Sequence, residues 1–587
     1  MRPFAFAVFA MMLAAQLVSQ NLNGSAEGTV TQVDSGEPIS NVRIAFGKFV
    51  GVTDADGHFV INGIPPGTYD VAVSRDGYVV PGRIDLNVVI TPIPEIGSAI
   101  VSPNQQIKDF HVEMEPTGAI SGRMLNPNGS PAPNIQPQLF WVTYKDGKRR
   151  ITPLRGSNKW SPSDDRGEYR LFGIPSGEYY VLASPVLKAV QPAIGEPVAT
   201  FYPATESLEK ALPIRVSAGK DIRGIDISLL ERQTTSISVK AVAPSSAEAV
   251  GFVEVSLVPA DSREIAGGLV ACIVVKCGFG SGQFTIRNIP QGRYSLFVTQ
   301  TAQDTDYFGE TEVQVGSQPV VNLTLPLRPG VDLAGHVTIV GDASILKLPS
   351  IPIGFRSTAN LNYDSATRAN RVQQNALAQG LSQGDSNGAT LLADRIAAEL
   401  ATLDSQGARR ETVVNEHVPG PDSSGRFTIR GLPPGHYNIT PSSLPPGAFI
   451  LDVRQKDKSI MNTGLTIGAE TPEPLEIIVS ASTGATVKGT VRNANQTGVG
   501  FTRAILVPAL DRQNLSLYLT VTADYAGQFT FSGVAPGDYK VFSWTNVPPG
   551  AWMNSEFMQK YESFGTIVTV KEGETSADIS VNIVPLD

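Results

Sequence analysis

Few residues in this chain of 587 could do chemistry. It holds five histidines, His58, His111, His336, His417 and His436, and two cysteines. A zinc hydrolase needs paired His and Glu ligands, with His-x-x-Glu on one helical turn. None of the five histidines has Glu three residues later, and none forms His-Glu-x-x-His. The stretch GDSNG (384–388) has the spacing of a nucleophile elbow around Ser386. An elbow needs a strand before it and a helix after it. Here helix-forming residues precede it in a Gly/Asn-rich setting, so it reads as a linker between two helices. DADG (54–57) offers carboxylates to calcium, but a calcium site needs six or more oxygens. The residues in the place of Asp56 in related stretches are Arg166, Ser281, Ser424 and Ala526. DADG therefore reads as a turn, where Asp and Gly are favoured for local reasons. No metal or cofactor is expected.

Aromatic rings are the remaining candidates. Trp544, Trp552, Phe557, Tyr561 and Phe564 fall in one segment. If exposed, Trp544, Trp552 and Tyr561 could stack on the apolar faces of sugars. The other reading is that these rings pack a long last loop onto a sheet. FWVTYKDGKRR (140–150) reads as a solvated hairpin with a basic tip. The formal net charge of −9 argues against a nucleic-acid partner, which would face a basic stripe. The cysteines stand in CIVVKC. An exported protein could join Cys272 to Cys277. On one straight strand, however, residues five apart lie about 17 Å apart, and a disulfide needs Cα atoms within about 7 Å. The bond thus requires a bend inside Ile273–Lys276.

The elements that must position these residues are announced by a repeat. TDADGHFVINGIPPGTYDV (53–71) returns as SDDRGEYRLFGIPSGEYYV (163–181), GSGQFTIRNIPQGRYSLFV (280–298), DSSGRFTIRGLPPGHYNI (422–439) and DYAGQFTFSGVAPGDYKVF (524–542). The copies are spaced by roughly 100–140 residues, the size of one small domain, so they mark tandem domains. Asp-x-x-Gly predicts a hairpin turn, and Pro66-Gly67 predicts a type II turn. Between them Phe59 and Ile61 share one strand face. The position after the second turn is always tyrosine: Tyr69, Tyr179, Tyr294, Tyr437 and Tyr539. An apolar slot would accept Phe as well. Insistence on the hydroxyl predicts a buried hydrogen bond back to nearby backbone, a tyrosine corner.

Each domain also opens on a strand, a Gly-containing turn and a second strand, as in EGTVTQVDSGEPISNVRI (27–44). Each closes on an alternating strand such as DFHVEMEP. About seven strands per hundred residues predicts an all-β tandem array of two-sheet antiparallel sandwiches. Residues 358–412 depart from this. Leu392, Ile396, Leu400 and Leu403 fall on one helical face, which predicts a helical insertion in the fourth domain.

The N-terminus, MRPFAFAVFAMMLAAQLVSQ, has one Arg, an apolar run and then small and polar residues, the build of a secretory signal peptide over 1–20. The run is too short to span a membrane. A secreted, periplasmic or cell-surface location is expected, with no membrane span in the mature chain.

G-x-V near the start, T-D-x-x-G-x-F and G-I-P-P-G-x-Y-x-V together resemble the carboxypeptidase regulatory-like domain, a transthyretin-like sandwich related to starch-binding domains. The resemblance covers five copies: 24–117, 118–232, 233–330, 331–484 and 485–587. It implies an accessory domain without catalysis of its own. The expected function is non-catalytic binding or scaffolding at the cell envelope, with carbohydrate or an extracellular protein as partner. The alternatives are a purely structural spacer and an enzyme with an unrecognised site.

Overall fold

The computed structural model describes residues 22–585 except 83–94, 155–159, 186–196, 245–252, 260–282, 302–305, 342–352, 358–420 and the short gaps at 34, 232–233, 442–443, 445–447, 469, 482–483 and 577. The expected signal segment, helical insertion, Ser386, His417, Cys272 and Cys277 lie outside the described residues. No described helix is long and apolar enough to cross a membrane.

The first repeat unit shows how sequence alternation becomes a sandwich. Its strands are β1 (Gly24–Gln32), β2 (Arg43–Phe46), β3 (Phe49–Val52), β4 (His58–Ile64), β5 (Gly67–Ser74), β6 (Tyr78–Val79), β7 (Glu95–Val101) and β8 (Gln106–Pro116). Burial alternates along β1, with Ala26 and Val30 inward, as period-two side-chain placement requires. One sheet has the order β4-β1-β8-β6, the other β3-β2-β5-β7. Between them lie Phe46, Phe59 and Phe110, with Phe110 5.5 Å from Phe46 and 5.6 Å from Phe59 by ring centroids. Four further cores, centred on Tyr179, Tyr294, Tyr437 and Tyr539, are built the same way.

Strand neighbours are antiparallel with one systematic exception. The opening strand of each unit pairs in parallel with its closing strand: β1 with β8, Gly118–Leu125 with Asp221–Ile222 and Ile227–Ser228, Thr234–Val242 with Val320–Pro326, Val331–Gly341 with Leu475–Ala481, and Ala485–Arg492 with Ile579–Val584. In the fifth unit the closing strand also pairs with Gly537–Trp544, which joins the two sheets.

Both predicted turns are bends, but not of the predicted kinds. Asp54–Gly57 does not close a hairpin: it carries the chain from β3, in one sheet, to β4, in the other. Pro65-Pro66 carries it back to β5. Gly67 enters β5 without a positive φ, so no type II turn forms there. The left-handed glycine is Gly63, φ 75°, with Gly173, Gly431 and Gly533 in its place at 68°, 65° and 70°. Each sits where the ladder slips by one residue, a bulge in the outermost strand of its sheet. A bulge twists an edge and spoils it as a template for a stray strand.

Units 2 and 5 carry extra cover. The segment holding Phe201, Leu208 and Ala211 packs on the outer face of the second unit, against Phe140, Ile151 and Leu182. In the fifth unit the helix α1 (Ser555–Tyr561) and its flanks pack on Ile505, Val507 and Phe542.

Candidate functional site

The repeated corner is held by two side chains. The Asp54 carboxylate accepts from the backbone N–H of Asp56 (3.0 Å) and His58 (2.9 Å). Asp164, Asp422 and Asp524 do the same two and four residues ahead. Gly57, Gly167, Gly425 and Gly527 supply φ values from 72° to 86° at the bend, which side chains resist. These carboxylates are spent on their own backbone. Among the described residues no group of three His, Cys, Asp or Glu could hold a metal ion.

Six residues after the bulge glycine, the chain is latched. Each corner tyrosine donates its hydroxyl to the carbonyl four residues earlier: Tyr69 to Pro65 (2.8 Å), Tyr179 to Pro175 (3.0 Å), Tyr294 to Pro290 (2.9 Å), Tyr437 to Pro433 (2.7 Å) and Tyr539 to Ala535 (2.9 Å). The ring lies over the glycine between, where a Cβ at Gly177 would meet it at 3.3 Å. Burial pushes the Tyr179 hydroxyl far above its ordinary value, helped by the Glu115 charge, and pushes Tyr539 up to about 12. Both phenols therefore stay protonated donors at any physiological pH.

Residues 25–90 match the carboxypeptidase regulatory-like domain. The matched stretch runs from β1 through both turns and the Tyr69 latch of the first unit. No curated protein matches the chain. Among solved structures, a streptococcal ancillary pilin is 12% identical, over 52% of this chain and 99% of that one, with a TM-score of 0.18. The minor pilin GBS52 of Streptococcus agalactiae is 17% identical, over 36% of this chain and 97% of that one, at 0.17. The TIE protein of Bacillus anthracis is 12% identical over 52% of this chain, at 0.14, and the match spans 51% of its own length. At these TM-scores the likenesses carry no argument about role.

The sites that sequence reasoning missed are the places where units meet. Glu115, at the end of β8 in the first unit, is buried and accepts from the backbone N–H (3.0 Å) and hydroxyl (2.9 Å) of Ser176. Ser176 is the central residue of the second unit's corner. From the fifth unit, Asn546 donates to the Ser176 carbonyl at 2.8 Å. Three units thus converge on one corner. The DG tip of the 140–150 hairpin is docked rather than solvated. Asn554 donates to the Gly147 carbonyl (2.7 Å), and the Tyr144 N–H donates to the Pro549 carbonyl (2.7 Å).

The first unit receives a plug from the fifth. Phe501 is 4% exposed and belongs to the first unit's core. Its backbone has φ 57°, a genuine outlier for a bulky residue. Tyr525 stacks on Phe110 from the same side, at 6.0 Å and 15°. Gly97 faces the plug, and a Cβ there would stand 2.7 Å from the Phe501 ring.

The expected sugar platform is not a surface. Trp544, Trp552 and Tyr561 are 2%, 6% and 5% exposed. Trp544 stacks on Phe542 at 5.1 Å and meets Tyr561 edge-on at 6.1 Å. These rings weld α1 and its flanks to the sheet, and Tyr144 of the second unit packs against them. Of the five aromatics, Phe564 alone is exposed. The described histidines are ordinary strand residues. His111, for example, lies between the hydroxyls of Thr29 and Thr31.

Proposed function

We propose that this chain is an exported, non-catalytic scaffold of five sandwich units, bounded at 24–117, 118–232, 233–330, 331–484 and 485–587. It holds a set shape at the cell envelope or outside the cell and presents its surfaces to an envelope or extracellular protein. The observation that carries this reading is the seating of unit 5 on units 1 and 2. A linear spacer needs contacts only between consecutive units. Here the last unit returns to the first through the Phe501 and Tyr525 rings, and to the second through the hydrogen bonds of Asn546, Asn554 and Pro549. A carbohydrate-binding role loses its support with the burial of Trp552 and its neighbours.

Two measurements test the reading. X-ray scattering of the full chain should give the compact dimensions of a closed array, and an extended rod would contradict closure. Cell fractionation should find the chain outside the cytoplasm without its first 20 or so residues. Recovery of the intact chain from the cytoplasm would contradict export.

A further inference from the structure

We infer that this protein bears tension along its chain, each unit acting as a shear clamp whose load-bearing part is the parallel ladder between its first and last strands. The inference rests on strand direction and is independent of how unit 5 is seated.

The chain enters a unit at the start of the opening strand and leaves it at the end of the closing strand. In the first unit Ser25 pairs with Gln106 and Gln32 with Met114, in parallel. Entry and exit therefore lie at opposite ends of one ladder. Tension on the chain slides β1 and β8 past each other, and all their backbone hydrogen bonds resist together. Had the two strands been antiparallel, entry and exit would share one end, and the ladder would peel one bond at a time. A single backbone hydrogen bond resists weakly when loaded alone and strongly when loaded with its neighbours.

The same direction recurs in all five units, although their sequences, lengths and covering segments differ. That recurrence sets a hierarchy. Units 1 and 4 each pair seven residues in this ladder, unit 3 five and unit 5 four. In unit 2 the ladder is broken into two pieces of two pairs, with the Ile225 N–H bonded to the Ser121 carbonyl and Arg123 tied to Asp226 between them. The two longest ladders also carry side-chain ties across the sliding strands. His111 bridges Thr29 and Thr31 at 3.2 and 3.3 Å, and Thr338 donates to Glu476 at 3.1 Å. The bulged outermost strand, by contrast, takes no part in the load path.

Single-molecule force spectroscopy on the full chain, held at both termini, tests this. Unit 4 releases the longest segment and is thereby identified. It should yield after the shorter event of unit 2, at higher force. A second pulling geometry makes the test independent of the hierarchy. Handles attached through Asn23→Cys and Ser102→Cys, with Cys272→Ser and Cys277→Ser, grip β1 and β8 at the same end. Both handle sites are exposed, so the core is untouched. The first unit should then open at several-fold lower force than when pulled from its opposite ends. Equal forces in the two geometries, or unit 4 yielding before unit 2, would overturn the inference. Release of unit 5 from units 1 and 2 is a separate early event, and its presence or absence bears on the seating alone.

Discussion

The ring of Phe501, in the fifth unit, lies 5.2 Å from the ring of Phe110, at the centre of the first. The two residues are far apart in sequence, and both are buried. The contact closes the array, and Phe501 reaches it from a left-handed backbone conformation.

Truncating that plug should be felt in two ways. Losing the ring from a packed core costs about 3–5 kcal/mol. Alanine keeps the left-handed strain, about 1–2 kcal/mol, whereas glycine does not. Phe501→Gly is therefore expected to be less destabilising than Phe501→Ala in urea unfolding followed at unit 1. Alanine proving the milder change would refute the strain argument.

The latch should be worth most where its acceptor is driest. Tyr179→Phe leaves the Pro175 carbonyl without its buried donor and should cost about 1–3 kcal/mol. Tyr69 is only half-buried, so Tyr69→Phe should cost less, because water can replace the hydroxyl. Denaturant midpoints of the two variants check the order.

Alkaline pH should loosen the fifth unit. The Tyr539 phenol titrates near 10 unfolded and about 12 folded, because burial penalises its anion. Between these values the folded state binds more protons, so stability falls as pH rises through that window. Tyr539→Phe should flatten the decline. An unchanged slope in the variant would show that other groups cause it.

Acid should act on the turn of the fourth unit. The Ser424 hydroxyl and the N–H groups of Arg426 and Ser424 hold the Asp422 carboxyl down at about 2, against 3.8 unperturbed. Its contribution is complete above about pH 4 and is lost as pH falls toward 2. Asp422→Asn keeps an acceptor oxygen and should remove that part of the acid sensitivity. Carboxyl titration by NMR reads the shift directly.

The corner was legible because it is written five times. Free exchange of Phe59 for Tyr169 beside an unvarying tyrosine marks one position as apolar and the other as a hydrogen-bond donor. Which carbonyl accepts, four residues back, depends on the bulge at Gly63, and the bulge depends on pairing with β1. Proline and glycine chemistry placed the bends but mistook their geometry, since both carry the chain between sheets. The direction of the closing strand was hidden, because alternation is the same for parallel and antiparallel neighbours. Trp544 and Trp552 misled because large rings suit a sugar platform and a buried weld equally well. The partnership of Phe501 with Gly97 joins residues with no shared motif.

The Tyr144 amide tests the closed array most directly, because its N–H reaches across to the Pro549 carbonyl of the fifth unit. Native-state hydrogen exchange at this amide reports whether that bond exists. Strong protection in the full chain, reduced in Phe501→Gly, is the expected result. Exchange as fast as a free surface amide in the full chain would mean that unit 5 does not sit on unit 2.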